Sequence, residues 1–168
     1  MAVVQRSVPE MSADERALRR TLLVLLAVTV ARLIWLRVGD LDLYPDEAQY
    51  WLWSLTPDWG YFSKPPLIAW VIRATTMLVG DDEAGIRLAS PLLHFGTALV
   101  MFFTARRLYD ARVASWSAIA YATLPGVSAS SLLISTDVPL LFCWALALLA
   151  YVKLLQGGDW RWGVVLVA

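Results

Sequence analysis

Four side chains with the chemistry needed for group transfer stand out in this sequence. Asp46 and Glu47 are adjacent, Lys64 follows in the same polar segment, and Asp137 separates two apolar runs. A carboxylate can accept the proton of an attacking hydroxyl group, and a lysine beside a helix N-terminus can bind a phosphate group. We therefore predict Asp46, Glu47 and Asp137 as catalytic residues and Lys64 as the residue that binds a donor phosphate.

Each of these residues also has a purely structural explanation. Asp46 and Glu47 follow Pro45, and both proline and acidic residues are favoured in the first turn of a helix. Asp137 could be the N-cap of an apolar helix, and Lys64 could extend its side chain to a membrane surface. The apolar surroundings of Asp137 favour the functional explanation, because ionisable groups at membrane depth are costly and usually functional.

The apolar content of the chain predicts a membrane protein. Of its 168 residues, 59% are hydrophobic, and the mean hydropathy is +0.60, whereas about half of the residues of a soluble domain are apolar. A helix needs roughly 20 apolar residues to cross a bilayer. We therefore predict an all-α polytopic transmembrane protein with spans at about residues 21–38, 88–105, 113–134 and 138–155, and a fifth span that starts at residue 162.

A long polar segment, residues 39–87, separates the first two predicted spans. It is rich in acidic residues and in aromatic side chains, which favour the level of the lipid headgroups. Within it, Pro45 starts a predicted short helix that continues to about Leu55. Residues 65–79 are apolar but too few to cross the bilayer, so we predict that they form an interfacial helix.

The basic residues predict which side of the membrane each loop faces, because cytoplasmic loops are enriched in lysine and arginine. If residues 65–79 do not cross, every basic cluster lies on one side. We therefore predict a multi-pass protein of the plasma (inner) membrane, with a cytoplasmic N-terminus and with residues 39–87 external or periplasmic. The residues that decide this are Arg6, Arg16, Arg19, Arg20, Arg106, Arg107, Arg112, Lys153 and Arg161.

Charge and the remaining reactive residues argue against other functions. The charges of the 14 basic and 14 acidic residues cancel. The chain therefore lacks the net positive charge that would favour binding to nucleic acid. Cys143 is the single cysteine and is interpreted as a small apolar residue. His94 lies in the second span, where a packing role is expected. Arg32 lies in the first span, and we expect its side chain to reach the membrane interface.

The order of several motifs resembles the polytopic glycosyltransferases of family 39, which include protein mannosyltransferases and bacterial aminoarabinose-transferase-like enzymes. The motifs are Asp46-Glu47-Ala48-Gln49-Tyr50-Trp51, Asp58-Trp59-Gly60-Tyr61-Phe62-Ser63-Lys64-Pro65-Pro66-Leu67, Arg87-Leu88, Arg106-Arg107-Leu108-Tyr109 and Thr136-Asp137-Val138-Pro139. These enzymes share a membrane fold called GT-C and are longer than this chain. The resemblance implies that residues 1–168 are the N-terminal part of a GT-C-like transmembrane domain.

The resemblance also implies substrates and residue roles. The donor would be a polyprenyl-phosphate sugar and the acceptor a lipid, a glycan or a protein. Asp46 matches the acidic residue taken as catalytic base or acceptor binder, Glu47 is its neighbour, and Asp137 matches a later acidic residue thought to line the same cavity. Lys64 matches the lysine placed near the lipid phosphate. Aminoarabinose transferases tend to have a metal-binding glutamate where Ser63 stands, so a divalent metal is possible but is not required by this sequence.

Two other functions remain open alternatives. A transporter would also carry intramembrane charges, but it would predict broken helices in two related halves, and we find no internal repeat. A non-catalytic membrane subunit or fragment would fit a chain that ends seven residues into an apolar stretch. We predict a glycosyltransferase that uses a lipid-phosphate-linked sugar at the outer membrane face.

Overall fold

The computed structural model describes residues 12–167, and the regular elements in this range are nine helices. They are α1 (Ala13–Val38), α2 (Pro45–Leu55), α3 (Leu67–Val79), α4 (Glu83–Arg87), α5 (Ala89–Leu108), α6 (Ala111–Thr123), α7 (Pro125–Ser130), α8 (Asp137–Leu155) and α9 (Arg161–Val167). Three apolar helical stretches are long enough to cross a membrane, at Ala13–Val38, Glu83–Leu108 and Asp137–Leu155. The predicted all-α polytopic membrane fold is therefore confirmed.

The third predicted span is not one continuous helix, and its crossing of the membrane stays a prediction. Within residues 113–134, α6 ends at Thr123, and Pro125 starts the six-residue helix α7. Leu124 has a ψ of 135°, as expected for a residue before proline, because the proline ring disfavours the helical conformation there. Proline also lacks the N–H group that would continue the α6 hydrogen bonds.

The broken segment nevertheless follows α5 over most of its length. Asp110 caps the start of α6, where its Oδ1 accepts a 2.8 Å bond from the N–H of Val113, and it lies just after the C-terminal end of α5. Beyond the break, the hydroxyl of Ser90, near the N-terminal end of α5, donates a 2.7 Å bond to the carbonyl oxygen of Ser130. Residues 111–130 therefore run antiparallel to α5 from one end of the bundle towards the other.

Small residues let the helices around α5 approach closely. Ala98, Ala114 and Ala118 are fully buried between α5 and α6, together with Leu25 of α1. On another face of α5, a Cβ atom added to Gly96 would lie 2.8 Å from the ring of Phe142 in α8. Small side chains serve this purpose in membrane bundles, because apolar burial alone does not drive helix association in lipid.

The segment before α5 forms a compact cap at one end of the bundle. The guanidinium of Arg37 donates a 2.7 Å bond to Asp82, so residues 37 and 82 lie together and the chain between them leaves and returns to the same end. α3 has 13 residues and is about 20 Å long, less than the roughly 30 Å hydrocarbon layer. Its interfacial depth stays a prediction. We call this end, with α2, α3 and α4, the loop end.

The other end of the bundle carries arginines, and we call it the arginine end. Arg106 forms an ion pair with Asp14, and Arg107 donates a 3.2 Å bond to Gln156. The start of α1 is fixed there by reciprocal hydrogen bonds between Ser12 and Glu15, which satisfy N–H groups that have no partner inside the helix. Arg6, which also supports the predicted sidedness, lies outside the described residues.

Two polar residues inside the spans, His94 and Arg32, are buried and hydrogen-bonded. His94 packs between helices, as expected, and both of its ring nitrogens have hydrogen-bond partners. Arg32 does not extend to the surface: it is buried and donates a 2.5 Å bond to the carbonyl oxygen of Ala122. The expectation that it reaches the interface was wrong, because the carbonyl groups at the C-terminus of the broken helix α6 offer a nearer acceptor.

Candidate functional site

Helix α2 begins and ends at the predicted residues. Pro45 is the first residue of the helix, and α2 ends at Leu55. The N–H of Tyr44 donates a 3.1 Å bond to Glu47 Oε2, which satisfies one of the backbone donors that a helix start leaves free. Glu47 is thereby turned back towards the helix start.

Glu47 forms a buried ion pair with Arg87 at the end of α4. The Arg87 Nε and NH2 groups donate to Glu47 Oε1 at 2.9 Å and Oε2 at 2.7 Å, with side-chain exposures of 4% for Arg87 and 3% for Glu47. The N–H of Ile134 donates a further 2.8 Å bond to Oε1. With the bond from Tyr44, the carboxylate accepts four hydrogen bonds, which fills the lone-pair positions of a carboxylate.

Arg87 also fixes the chain before α2. Its NH1 group donates to the carbonyl oxygen of Leu41 at 2.8 Å, and its NH2 group donates to that of Asp42 at 2.9 Å. The pair therefore joins the entry to α2, the end of α4 and the irregular segment 131–136, which together surround the loop end of the bundle. We call this set of contacts the Glu47–Arg87 latch.

Tyr50 lies one helical turn after Asp46 on the same face of α2. It is 4% exposed and packs in a cluster with Ile134. Burial raises the pKa of its phenol, and the nearby carboxylates of Asp46 and Asp137 raise that pKa further, against a hydrogen bond with Thr136 that lowers it. The charges of Asp46 and Asp137 therefore both act on Tyr50. Tyr50 was not among the predicted site residues, and its spacing of four residues from Asp46 was the available signal in the sequence.

Asp46 and Asp137 are exposed, in contrast to Glu47. Within residues 12–166, neither carboxylate is held by a hydrogen bond or ion pair of the kind that holds Glu47. Asp137 is the first residue of α8 and follows the N-cap residue Thr136, so it is a first-turn acid rather than the N-cap considered as an alternative.

Lys64 lies at the other end of α2 from Asp46. Its carbonyl oxygen accepts a 3.2 Å bond from the N–H of Tyr61, and the ring of Tyr61 stacks on Trp53 at 5.0 Å between centroids. The rise of α2 between Asp46 and Trp53 is about 10 Å. In the described part of the chain, no hydrogen bond or ion pair joins Lys64 to Asp46 or Asp137.

The predicted site residues thus fall into two places. Asp46, Glu47 and Asp137 lie around Tyr50 and the latch, whereas Lys64 belongs to the loop between α2 and α3. Over the described range, no group of three or more His, Cys, Asp or Glu side chains has a spacing that could hold a metal ion. Ser63, which precedes Lys64, is exposed and offers no carboxylate.

Comparison with known proteins gives one family and one informative relative. Residues 63–168 match the family described as dolichyl-phosphate-mannose-protein mannosyltransferase. The chain is 50% identical over 139 residues to the lipid A galacturonosyltransferase RgtD of Rhizobium johnstonii. That alignment covers 82% of this chain and 29% of the relative, so the matching part spans less than a third of the length of the relative. No solved structure matches the chain significantly.

Proposed function

This chain belongs to the dolichyl-phosphate-mannose-protein mannosyltransferase family, and we propose that it carries part of the active site of a membrane glycosyltransferase. The donor is a sugar linked to a polyprenyl phosphate. The reaction takes place at the loop end, which faces the periplasm or the cell exterior, while the arginine end faces the cytoplasm. The arginine-rich composition of that end supports this orientation, because cytoplasmic loops are enriched in basic residues.

The proposed reaction uses Asp46 as the general base. An acceptor hydroxyl oxygen attacks the anomeric carbon of the donor sugar, and its proton passes to the Asp46 carboxylate. The bond between the anomeric carbon and the phosphate oxygen breaks, and its electron pair leaves with the polyprenyl phosphate. Lys64 stabilises the negative charge of the leaving phosphate, a kind of electrostatic stabilisation that is often the largest contribution to catalysis.

The contrast between neighbouring carboxylates is the observation that carries this proposal. Glu47 is buried and holds four hydrogen-bond donors, so it is suited to positioning rather than to accepting a proton. Asp46 is exposed one residue away and acts on the same tyrosine as Asp137. We therefore assign proton transfer to Asp46, positioning to Glu47 and acceptor binding or charge stabilisation to Asp137.

The substrates follow from the relative. Since RgtD is named as a lipid A galacturonosyltransferase, we propose galacturonic acid as the sugar and the lipid A type of glycolipid as the acceptor. A lipid acceptor fits a site at the membrane surface, because its headgroup hydroxyl groups lie at that surface. A polyprenyl-phosphate donor likewise presents its phosphate at the interface, where Lys64 would meet it.

The test measures the turnover of two variants, Asp46→Asn and Asp40→Asn, in the protein expressed from its full gene. Asp46→Asn keeps the shape of the side chain but removes the proton acceptor, so turnover of polyprenyl-phosphate galacturonic acid with lipid A should fall about 10²- to 10⁴-fold. Asp40→Asn is the matched control, because Asp40 is an exposed acid of the same loop, and it should keep turnover. Lys64→Ala should raise the donor KM as well as lower turnover.

Wild-type turnover in folded Asp46→Asn would overturn the assignment of the base. Absence of transfer from every polyprenyl-phosphate uronic acid or hexose tested, by a wild-type protein that is folded, would overturn the proposed reaction itself.

A further inference from the structure

A buried polar cluster surrounds the break between α6 and α7. His94 of α5 is 1% exposed, and its Nδ1 lies 2.9 Å from the hydroxyl of Tyr121, while its Nε2 lies 3.1 Å from the hydroxyl of Ser130. Tyr121 lies before the break and Ser130 after it. One imidazole ring therefore joins the two halves of the broken segment, and the proposed reaction makes no use of it.

Arg32 of α1 binds the same break from another side. Its NH2 group donates to the carbonyl oxygen of Ala122 at 2.5 Å and to the hydroxyl of Ser128 at 3.2 Å, and the residue is 8% exposed. Ala122 belongs to the last turn of α6, whose carbonyl groups have no partner within the helix and carry partial negative charge. A guanidinium group supplies both donors and the opposite charge.

The chain beyond the break leads to Asp137 through tight turns. The N–H of Ser131 donates to Val127 O at 2.9 Å, and that of Leu132 donates to Ala129 O at 3.0 Å. Ile134 then donates to Glu47 at 2.8 Å. These hydrogen bonds connect the broken segment to the chain that leads into α8, so we expect a displacement of Ser128 or Ser130 to shift the start of α8.

Irregular backbone at membrane depth needs such contacts. Lipid offers no hydrogen-bond partners, so non-helical chain is tolerated there only where it is buried in protein or lines a water-filled cavity. Within residues 12–166, every buried side-chain nitrogen or oxygen has a hydrogen-bond partner. The cluster thus supplies hydrogen bonds to a distorted segment, in addition to the bond from Ser90 to the carbonyl oxygen of Ser130 and the bond from Ile134 to Glu47.

We propose that Arg32 and His94 are positioning residues, which clamp the broken segment to α1 and α5 and thereby hold the start of α8, with Asp137, in place at the loop end. This inference rests on the proposed function, since it gives the clamp a role in the same reaction. The clamp acts at the Asp137 side of the site and leaves Lys64 untouched, because Lys64 belongs to the loop between α2 and α3. Loss of the clamp therefore lowers kcat and leaves the donor KM nearly unchanged.

The first measurement does not depend on activity. Spin labels at Gln49 of α2 and Leu141 of α8, both exposed, report the distance between the two helices in a full-length Cys143→Ser background. His94→Leu removes both ring contacts and should shift or broaden that distance distribution. His94→Gln, which can keep one contact, should restore most of the wild-type distribution. Thr104→Val is the matched control, because the Thr104 hydroxyl is buried on α5 but bonds only within its own helix, to Val100 at 2.9 Å.

The second measurement is steady-state transfer with the polyprenyl-phosphate donor and lipid A. His94→Leu and Arg32→Met should lower kcat tenfold or more, because small misplacements of a reacting group can cost up to about 10²-fold, with a donor KM within about twofold of wild type. Ser130→Ala, which removes one contact and little volume, should give a smaller effect of the same kind if His94→Leu does not fold.

An unchanged distance distribution in folded His94→Leu or Ser130→Ala overturns the clamp, whatever the activity. A rise in donor KM equal to the fall in kcat would also overturn it, because that result would mean a general loss of the site. If the distance changes as expected but wild-type protein transfers no sugar, the clamp stands as a structural device and the proposed function fails.

Discussion

At the scale of single residues, two adjacent carboxylates have opposite environments. Successive residues of a helix point about 100° apart, so Glu47 can be buried while Asp46, in the first turn of α2, stays exposed. The buried side chain meets Arg87 and the N–H of Ile134, and its charge is fully compensated. The carboxylate of Asp46 is exposed. Grouping the two as one catalytic pair, as the sequence suggested, hides this difference, and a positioning role for Glu47 is our prediction.

We expect the latch to dominate the stability of the loop end. Glu47→Gln leaves the Arg87 guanidinium buried without its counter-charge, and breaking a buried ion pair in this way costs about 3–5 kcal/mol. Arg37→Gln breaks the exposed pair with Asp82, whose side chains are 51% and 49% exposed, and such pairs contribute about 0–1 kcal/mol. Thermal or denaturant unfolding in detergent should therefore separate the two variants clearly. Equal losses of stability would contradict the assignment of the latch as the main tie.

At the scale of elements, the loop end is built from helices too short to cross a bilayer. α2 and α3 have 11 and 13 residues and pack on each other through Tyr50, Ile68 and Ile72. Between them, the indole of Trp70 donates a 3.0 Å bond to the carbonyl oxygen of Asp58, so the connecting loop is tied to α3. In this arrangement Asp46 lies at the start of α2, and Lys64 lies in the loop that connects α2 to α3.

We predict that α3 lies along the membrane interface. Spin labels at Leu67, Ala74 and Leu78, which are exposed residues of this helix, should have nearly equal depths when oxygen and a water-soluble relaxation agent are compared. If α3 instead pointed across the bilayer, the depths at Leu67 and Leu78 would differ by about 16 Å, the rise of the helix between them. A depth difference of that size would refute the interfacial position and change the number of crossings.

At the scale of the whole molecule, the two ends differ in charge and in architecture. Helices α1, α5 and α8 run between them, and the broken segment α6–α7 fills the remaining side of α5. Acidic and aromatic residues collect at the loop end, whereas Arg106, Arg107 and Arg112 lie at or near the arginine end. This asymmetry is the physical basis for a defined orientation in the membrane.

We expect Gly60 to be accessible from outside the cell and Tyr109 from the cytoplasm. Gly60→Cys and Tyr109→Cys, each in a Cys143→Ser background, place a thiol at an exposed position, and a Cβ at Gly60 meets no atom within 4 Å. A membrane-impermeant thiol reagent on cells with a permeabilised outer envelope should label only the first. Labelling of Tyr109→Cys alone, or of both, would reverse or remove the proposed orientation.

The sequence by itself determined the helical membrane fold and much of the loop. Runs of apolar residues of sufficient length specify spanning helices, because lipid leaves the backbone no partners except its own. Local signals also specified α2, since Pro45 and the two acids after it favour a helix start at that point. The break at Leu124 had a local signal as well, in Pro125 and Gly126, but the apolar length of the segment outweighed it in our prediction.

The tertiary structure alone decided which polar groups meet. Glu47 and Arg87 are 40 residues apart, and Arg32 lies 90 residues from Ala122, so no local pattern links either pair. Their partners are selected because a buried charge or carbonyl group without a hydrogen bond is costly, and the folded chain brings in whichever group can satisfy it. That requirement turned Glu47 inward and drew Arg32 into the bundle instead of to the interface.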